Sequence, residues 1–144
     1  MILQTDARLN RAINKYGCYF FSILFLGVKH TRYALDCGEI LDLYLVAVDS
    51  GYMDEDLYIE DPDGIFSMMN LLTRYSGKHE SNFYECKKDE IEILRYIHPE
   101  GYGHFVAGDG EGHIAFDPMG MSQAVKHGYM ASKRIFKLIN WKGK

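Results

Sequence analysis

The chain has 144 residues, 47% hydrophobic, 14% aromatic and 25% charged, with a formal net charge of −4 at neutral pH. That length fits one domain, and the apolar content is enough for a packed core rather than a disordered chain; 14 glycines and three prolines exclude collagen-like or linker-like sequence. A net acidic chain is a poor match to proteins that grip phosphate backbones, so no nucleic-acid partner is expected.

No repeat, low-complexity tract or linker interrupts residues 1–144, which read as a single domain. The opening MILQTDARLN lacks the basic, apolar, small order of a signal peptide. Residues 6–16 place Leu9, Ala12, Ile13 and Tyr16 at helical spacing, and Gly17 ends the pattern. Residues 18–29 are apolar nearly all round, which predicts a central buried helix. The run from Cys18 to Val28 is 11 residues, against the roughly 20 a membrane span needs, so no membrane partner is expected. Residues 37–48 carry the stripe Ile40, Leu41, Tyr44, Leu45, Val48. Asp63 reads as the N-cap of a fourth helix over residues 64–75, with Phe66, Met69, Leu71 and Leu72 inward.

The period then changes. Residues 91–96 suit a mostly buried strand. Residues 104–108 and 113–117 flank Asp109-Gly110-Glu111-Gly112, a tight hairpin connection, and residues 134–141 read as a closing strand. Helices segregated before an antiparallel sheet predict an α+β domain. Seven acids fall between Asp49 and Asp63 with no Lys or Arg, and six bases follow Asp117 with no acid. Both runs read as solvated surface, with a partner-recruiting patch as the lesser alternative.

Three cysteines leave an odd thiol whatever pairs, which points to a reducing compartment, expected to be the cytoplasm, or to a working thiol. Cys18 follows Gly17 and opens the apolar helix. Backbone N–H groups at a helix start favour a thiolate, although a small core residue is the blander reading. Cys37 has Asp36 and Glu39 nearby, Cys86 lies in a polar stretch, and both read as structural. Of six histidines, His104 and His113 fall in the hairpin. If residues 108 and 113 pair, His104 pairs with Asp117 on one face, Cβ atoms ~5 Å apart, and the acid can orient the imidazole. His113 would lie ~13 Å from Asp117 along the strand. The plain alternative is a strand pair that happens to be polar. The Gly-rich connection is followed by no helix pattern and is not a nucleotide loop. The acidic run lacks the ligand order of a calcium loop, and no paired Cys or His spacing supports zinc.

A Cys at a helix start, followed much later by a His and an Asp on paired strands, is the order of the papain-like cysteine peptidases. The segments Gln4-Thr5-Asp6-Ala7-Arg8-Leu9, Tyr16-Gly17-Cys18, Gly103-His104-Phe105-Val106 and Ile114-Ala115-Phe116-Asp117-Pro118 resemble the branch related to bacteriocin-processing peptidases that cut double-glycine leaders. The text from Ser122 to Phe136 resembles short phage and prophage relatives. The resemblance implies a papain-like fold, N-terminal helices with a Cys-bearing central helix packed on a C-terminal antiparallel sheet. It implies Cys18 as nucleophile, His104 as general base and acid, Asp117 as its orienting partner, and Gln4 as an oxyanion-hole donor beside the Cys18 backbone N–H. Where such members follow the Cys with Gly-Pro and a small residue, this chain has Tyr19-Phe20-Phe21-Ser22. A transport-linked role is not expected. The activity implied is hydrolysis of a peptide, isopeptide or related amide bond in a peptide or protein substrate, with no metal or organic cofactor. The alternative is a catalytically inactive papain-like binding module, a phage or bacterial protein that binds a host partner. A structural or assembly protein with a chance triad is a third reading.

Overall fold

The computed structural model describes residues 1–31, 34–80 and 83–139. Its elements run α1 (Arg11–Tyr16), α2 (Cys18–Thr31), α3 (Cys37–Asp49), α4 (Pro62–Met68), β1 (Thr73–His79), β2 (Glu90–Ile97), β3 (Gly103–Gly108), β4 (Ile114–Phe116), α5 (Gln123–His127) and β5 (Tyr129–Leu138). Four helices precede a five-stranded antiparallel sheet of order β1-β5-β2-β3-β4, so the α+β expectation holds. Among the described residues no helix is long and apolar enough to cross a membrane.

The first helix is shorter than its periodicity suggested. Asn10 accepts the Ile13 N–H at 2.8 Å and caps α1, so residues 6–9 form turns instead. Gly17 ends α1 by donating its N–H to the Ile13 carbonyl at 2.9 Å, while its own carbonyl accepts from Phe21 at 2.8 Å. A Cβ at Gly17 would stand 2.4 Å from that Ile13 oxygen, so only glycine lets α2 begin the moment α1 stops. Phe20, Phe21, Ile23, Leu24 and Leu26 of α2 are buried, as its all-round apolar sequence requires. Each such Phe contributes about 1.5–3 kcal/mol. Gly27 lets α2 close on Met69: a Cβ there would meet the Met69 methyl at 2.4 Å.

The fourth helix also departs from expectation. It spans Pro62–Met68, and its cap is Asp61, which accepts the Gly64 N–H at 2.9 Å with Pro62 in the first turn. Asp63 instead accepts from the Thr73 hydroxyl at 2.8 Å and the Tyr75 N–H at 3.0 Å. Asn70 is left-handed, with φ of 62°, which stops the helix and frees residues 73–79 to become an edge strand. The closing strand starts at Tyr129, five residues before the expected Arg134, because it pairs along the whole of β2; positions 140 and 141 of that expectation lie outside the described residues. The short helix α5, capped by Ser122, was not expected.

The core lies between the helices and the sheet face bearing Ile91, Ile93, Phe105, Ala107, Phe136 and Leu138. Phe25 of α2 stacks on Phe116 of β4 at 4.8 Å, and Phe66 of α4 meets Phe136 edge-on at 5.2 Å. The start of α2 meets β3 through Tyr19, which stacks on Phe105.

Candidate active site

Cys18 is the first residue of α2 and is half-buried, whereas the phenylalanines two and three positions on are sealed in the core. All three cysteines are free thiols. His104, second residue of β3, is 7% exposed and Asp117 is 9% exposed. His104 Nε2 and Asp117 Oδ1 are 2.7 Å apart. Nε2 being taken, Nδ1 is the ring nitrogen left for the thiol, and Cys18 stands close enough to raise the proton affinity of the ring by hydrogen bonding and by charge.

Burial alone disfavours an imidazolium. Here the bond to Asp117 and the neighbouring Cys18 outweigh it and lift His104 to about 9. Burial pushes the Asp117 carboxyl up, but its bonds hold it well below the usual carboxylate range. Those bonds come from His104 and Ser122 and from the Met119 N–H, which donates to Oδ1 at 2.9 Å; the Ser122 N–H donates to Oδ2 at 3.0 Å. Asp117 is thus fixed by the turn that follows it.

The hairpin reaches this meeting by a different register from the one expected. Ala107 opposes Phe116 where 114 was expected, and Gly108 opposes Ile114 where 113 was expected, with a bulge between the two positions. The β4 strand ends at Phe116, so Asp117 is not the ladder partner of His104. The step of two at Ala107 is even and preserves side-chain parity, and a diagonal neighbour is within reach of an imidazole and a carboxylate. Positive φ at Gly110 and Gly112 makes room for the extra residue.

Gly17 is needed here for space, as described. Gln4 is buried and held at both ends: its N–H donates to the Pro118 carbonyl at 2.9 Å, and its side-chain Nε2 donates to the Asn14 carbonyl at 3.2 Å. Asn14 returns hydrogen bonds to the Gln4 and Asp6 carbonyls at 2.7 and 3.0 Å. The N-terminal segment therefore lies against the residue after Asp117 and against α1. The bonds of Gln4 run to Asn14 and Pro118, not to Cys18, and its Oε1 is buried without a partner.

Sequence reasoning missed Asn14, Met119 and Ser122. Ser122 had a readable signal, a serine three residues before Val125 in a stretch after Asp-Pro-x-Gly; it caps α5 and also clamps Asp117. Cys37 sits inside the Asp36/Glu39 capping box of α3. Cys86 donates to Glu92 at 3.6 Å, and burial together with that carboxylate pushes its thiol up to about 12. Three of the seven acids in the run make structural bonds: Asp61 caps α4, Asp63 ties β1, and Asp54 accepts the N–H groups of Asp56 and Tyr58; all but Asp63 are exposed. Asp109, Glu111 and His113 gather possible metal-ligating atoms within 4.8 Å of one another, but all three are exposed. Asp109 there already accepts from the N–H groups of Glu111 and His113.

The molecule is therefore an α+β protein in which a buried, hydrogen-bonded His–Asp pair faces a half-buried cysteine at a helix start. It belongs to the family described as "Protein of unknown function, DUF261", whose model matches residues 1–138. No curated protein and no solved structure matches the chain.

Proposed function

We propose that the protein is a papain-like cysteine hydrolase that cleaves a peptide, isopeptide or related amide bond in a peptide or protein substrate. The observation that carries this reading is His104, held by Asp117 through Nε2 and close enough to Cys18 for the thiol to raise its proton affinity. An imidazolium beside a sulfur at a helix start favours the thiolate.

The Cys18 sulfur attacks the carbonyl carbon, forming a C–S bond while the carbonyl electrons move to oxygen. The Cys18 N–H and the Gln4 side-chain N–H not given to Asn14 are the donors for that oxyanion. Collapse breaks the C–N bond, and His104 hands its proton to the leaving amine. Water then attacks the thioester, His104 takes its proton, and the C–S bond breaks to release the acid. The chemistry needs no metal or organic cofactor, and three free thiols suit a reducing compartment such as the cytoplasm.

Limited iodoacetamide labelling of the folded protein tests the reading. Cys18 is expected to react at least about tenfold faster than Cys37 and far faster than Cys86. Equal rates at the three thiols would overturn it. A Cys18→Ala protein that keeps full function in a cellular assay, where Cys37→Ala is the control, would favour the inactive binding module instead.

A further inference from the structure

The residues following the nucleophile and the histidine make a second feature. Tyr19, next to Cys18, stacks on Phe105, next to His104, with ring centroids 4.4 Å apart. Two guanidinium groups share that same phenyl ring: Arg134 Cζ lies 5.3 Å and Arg95 Cζ 5.9 Å from its centroid. Arg95 is the cross-strand partner of Phe105, and Arg134 that of Ile93 one row away. A bulge in the β2–β5 ladder falls between Arg95 and Tyr96. Arg95 lies across Gly103, the residue before His104: a Cβ there would stand 2.4 Å from Nη2. Arg134 is aimed by donating Nη1 to the Ser132 hydroxyl at 2.9 Å. Both arginines are half-buried.

Among the described residues, no carboxylate lies within ion-pair distance of either guanidinium. The acids in the neighbourhood are otherwise engaged. Glu80 pairs with Lys78, and Asp63 is held by Thr73 and Tyr75. Two like charges converging on one ring repel, and an anion between them relieves that cost; planar guanidinium forks fit a carboxylate in particular.

We infer that Arg95 and Arg134, carried on Phe105 beside Tyr19, form the subsite that receives a carboxylate of the substrate next to the bond attacked at Cys18. This deepens the hydrolase reading and rests on it. The carboxylate is either an acidic side chain or a free chain end.

Three bromoacetyl probes separate these sources: bromoacetyl-Glu-amide, bromoacetyl-Gln-amide, and bromoacetyl-Gln with a free carboxylate. In each, the Cys18 sulfur displaces bromide and forms one C–S bond, and mass spectrometry gives the rate. One of the two anionic probes is expected to outpace the neutral one about three- to tenfold, as one or two charge-assisted contacts allow. Arg95→Met and Arg134→Met should each lower that ratio, the double variant should bring it near one, and Arg95→Lys should keep part of it. Using the ratio cancels any general loss of Cys18 reactivity, and thermal melting checks the fold. A wild-type ratio of one, or a ratio the double variant leaves unchanged, overturns the subsite while Cys18 remains a fast nucleophile. A Cys18 no faster than Cys37 toward all three probes removes the hydrolase reading, and the subsite with it.

Discussion

Two buried ion pairs hang from the same sheet, and each has a cysteine beside it. In one, Asp117 and His104 meet at 2.7 Å and the cation faces Cys18. In the other, Lys133 Nζ lies 3.0 Å from Glu92 Oε1 and the anion faces Cys86. The second pair is closed on every side: Lys133 also donates to the Tyr84 carbonyl at 2.7 Å, and Glu92 Oε2 accepts from Gly110 and Gly112 at 3.1 and 2.8 Å. In the first, Asp117 takes only Nε2 of the ring, with Cys18 close by. Burial and a hydrogen-bonded charge pair are common to both; what differs is the sign of the charge turned toward the sulfur, and on the hydrolase reading that difference sets the two thiols apart.

Removing that charge is the sharpest way to break the comparison. His104→Asn should slow alkylation of Cys18 by about 100-fold or more, the low end of what a positioned acid–base group supplies, and leave the slow rate at Cys86 alone. Competitive labelling read by mass spectrometry decides it; a Cys18 rate unmoved by the change would show that the imidazole does not govern the thiol.

The closed pair should matter to stability instead. Lys133→Met strands Glu92 without a cation in the interior, and urea unfolding should show a loss of about 3–5 kcal/mol. Pairing it with Glu92→Leu removes the stranded charge and should recover much of the loss. A single variant as stable as the parent would mean that water reaches Glu92.

The smallest effect is the dependence of stability on pH. His104 is lifted from about 6.5 to about 9, so its contribution is complete below the unfolded value and disappears as pH rises through the folded one. On the order of 2–3 kcal/mol should be lost between those limits, at about 1.4 kcal/mol per unit. Asp117→Asn, which removes a main cause of the lift, should flatten that slope. Unfolding curves at pH 6 and pH 9.5 for both proteins check this; parallel losses would assign the slope to other groups. Asp117, held low, contributes above the usual carboxylate range and loses its contribution on acidification.

The helical half of the molecule was legible because its signals are local. The all-round apolar text of α2 and the stripe of α3 each fix an element without reference to distant residues. Asp61 and Asp63 show where locality fails: both are good caps, and only the tie from Asp63 to Thr73 and Tyr75 decides between them. Residues 73–75, the start of β1, fall within the helix expected over residues 64–75 because Leu71 and Leu72 continue a helical spacing, whereas the pairing of β1 with β5 is a contact across more than 50 residues. At the site, the meeting of His104 and Asp117 was foreseen but its ladder was not, since a bulge has no signature beyond the glycines that permit it. The Arg95/Arg134 pair was invisible for the same reason: cross-strand register brings the two arginines together.

The hydrogen bond from Gln4 to Pro118 joins positions 114 apart in the chain. It binds one segment to another made more than a hundred residues later. A growing chain can complete α1 and α2 soon after they leave the ribosome, yet Cys18 then has neither His104 nor Asp117, and Gln4 has nothing to anchor it. Long loops close slowly and late. Chains emerge at about 5–20 residues per second, so Cys18 waits several seconds before His104 and Asp117 have been made. The constellation at Cys18 therefore forms only once the chain through Pro118 has been made and has folded.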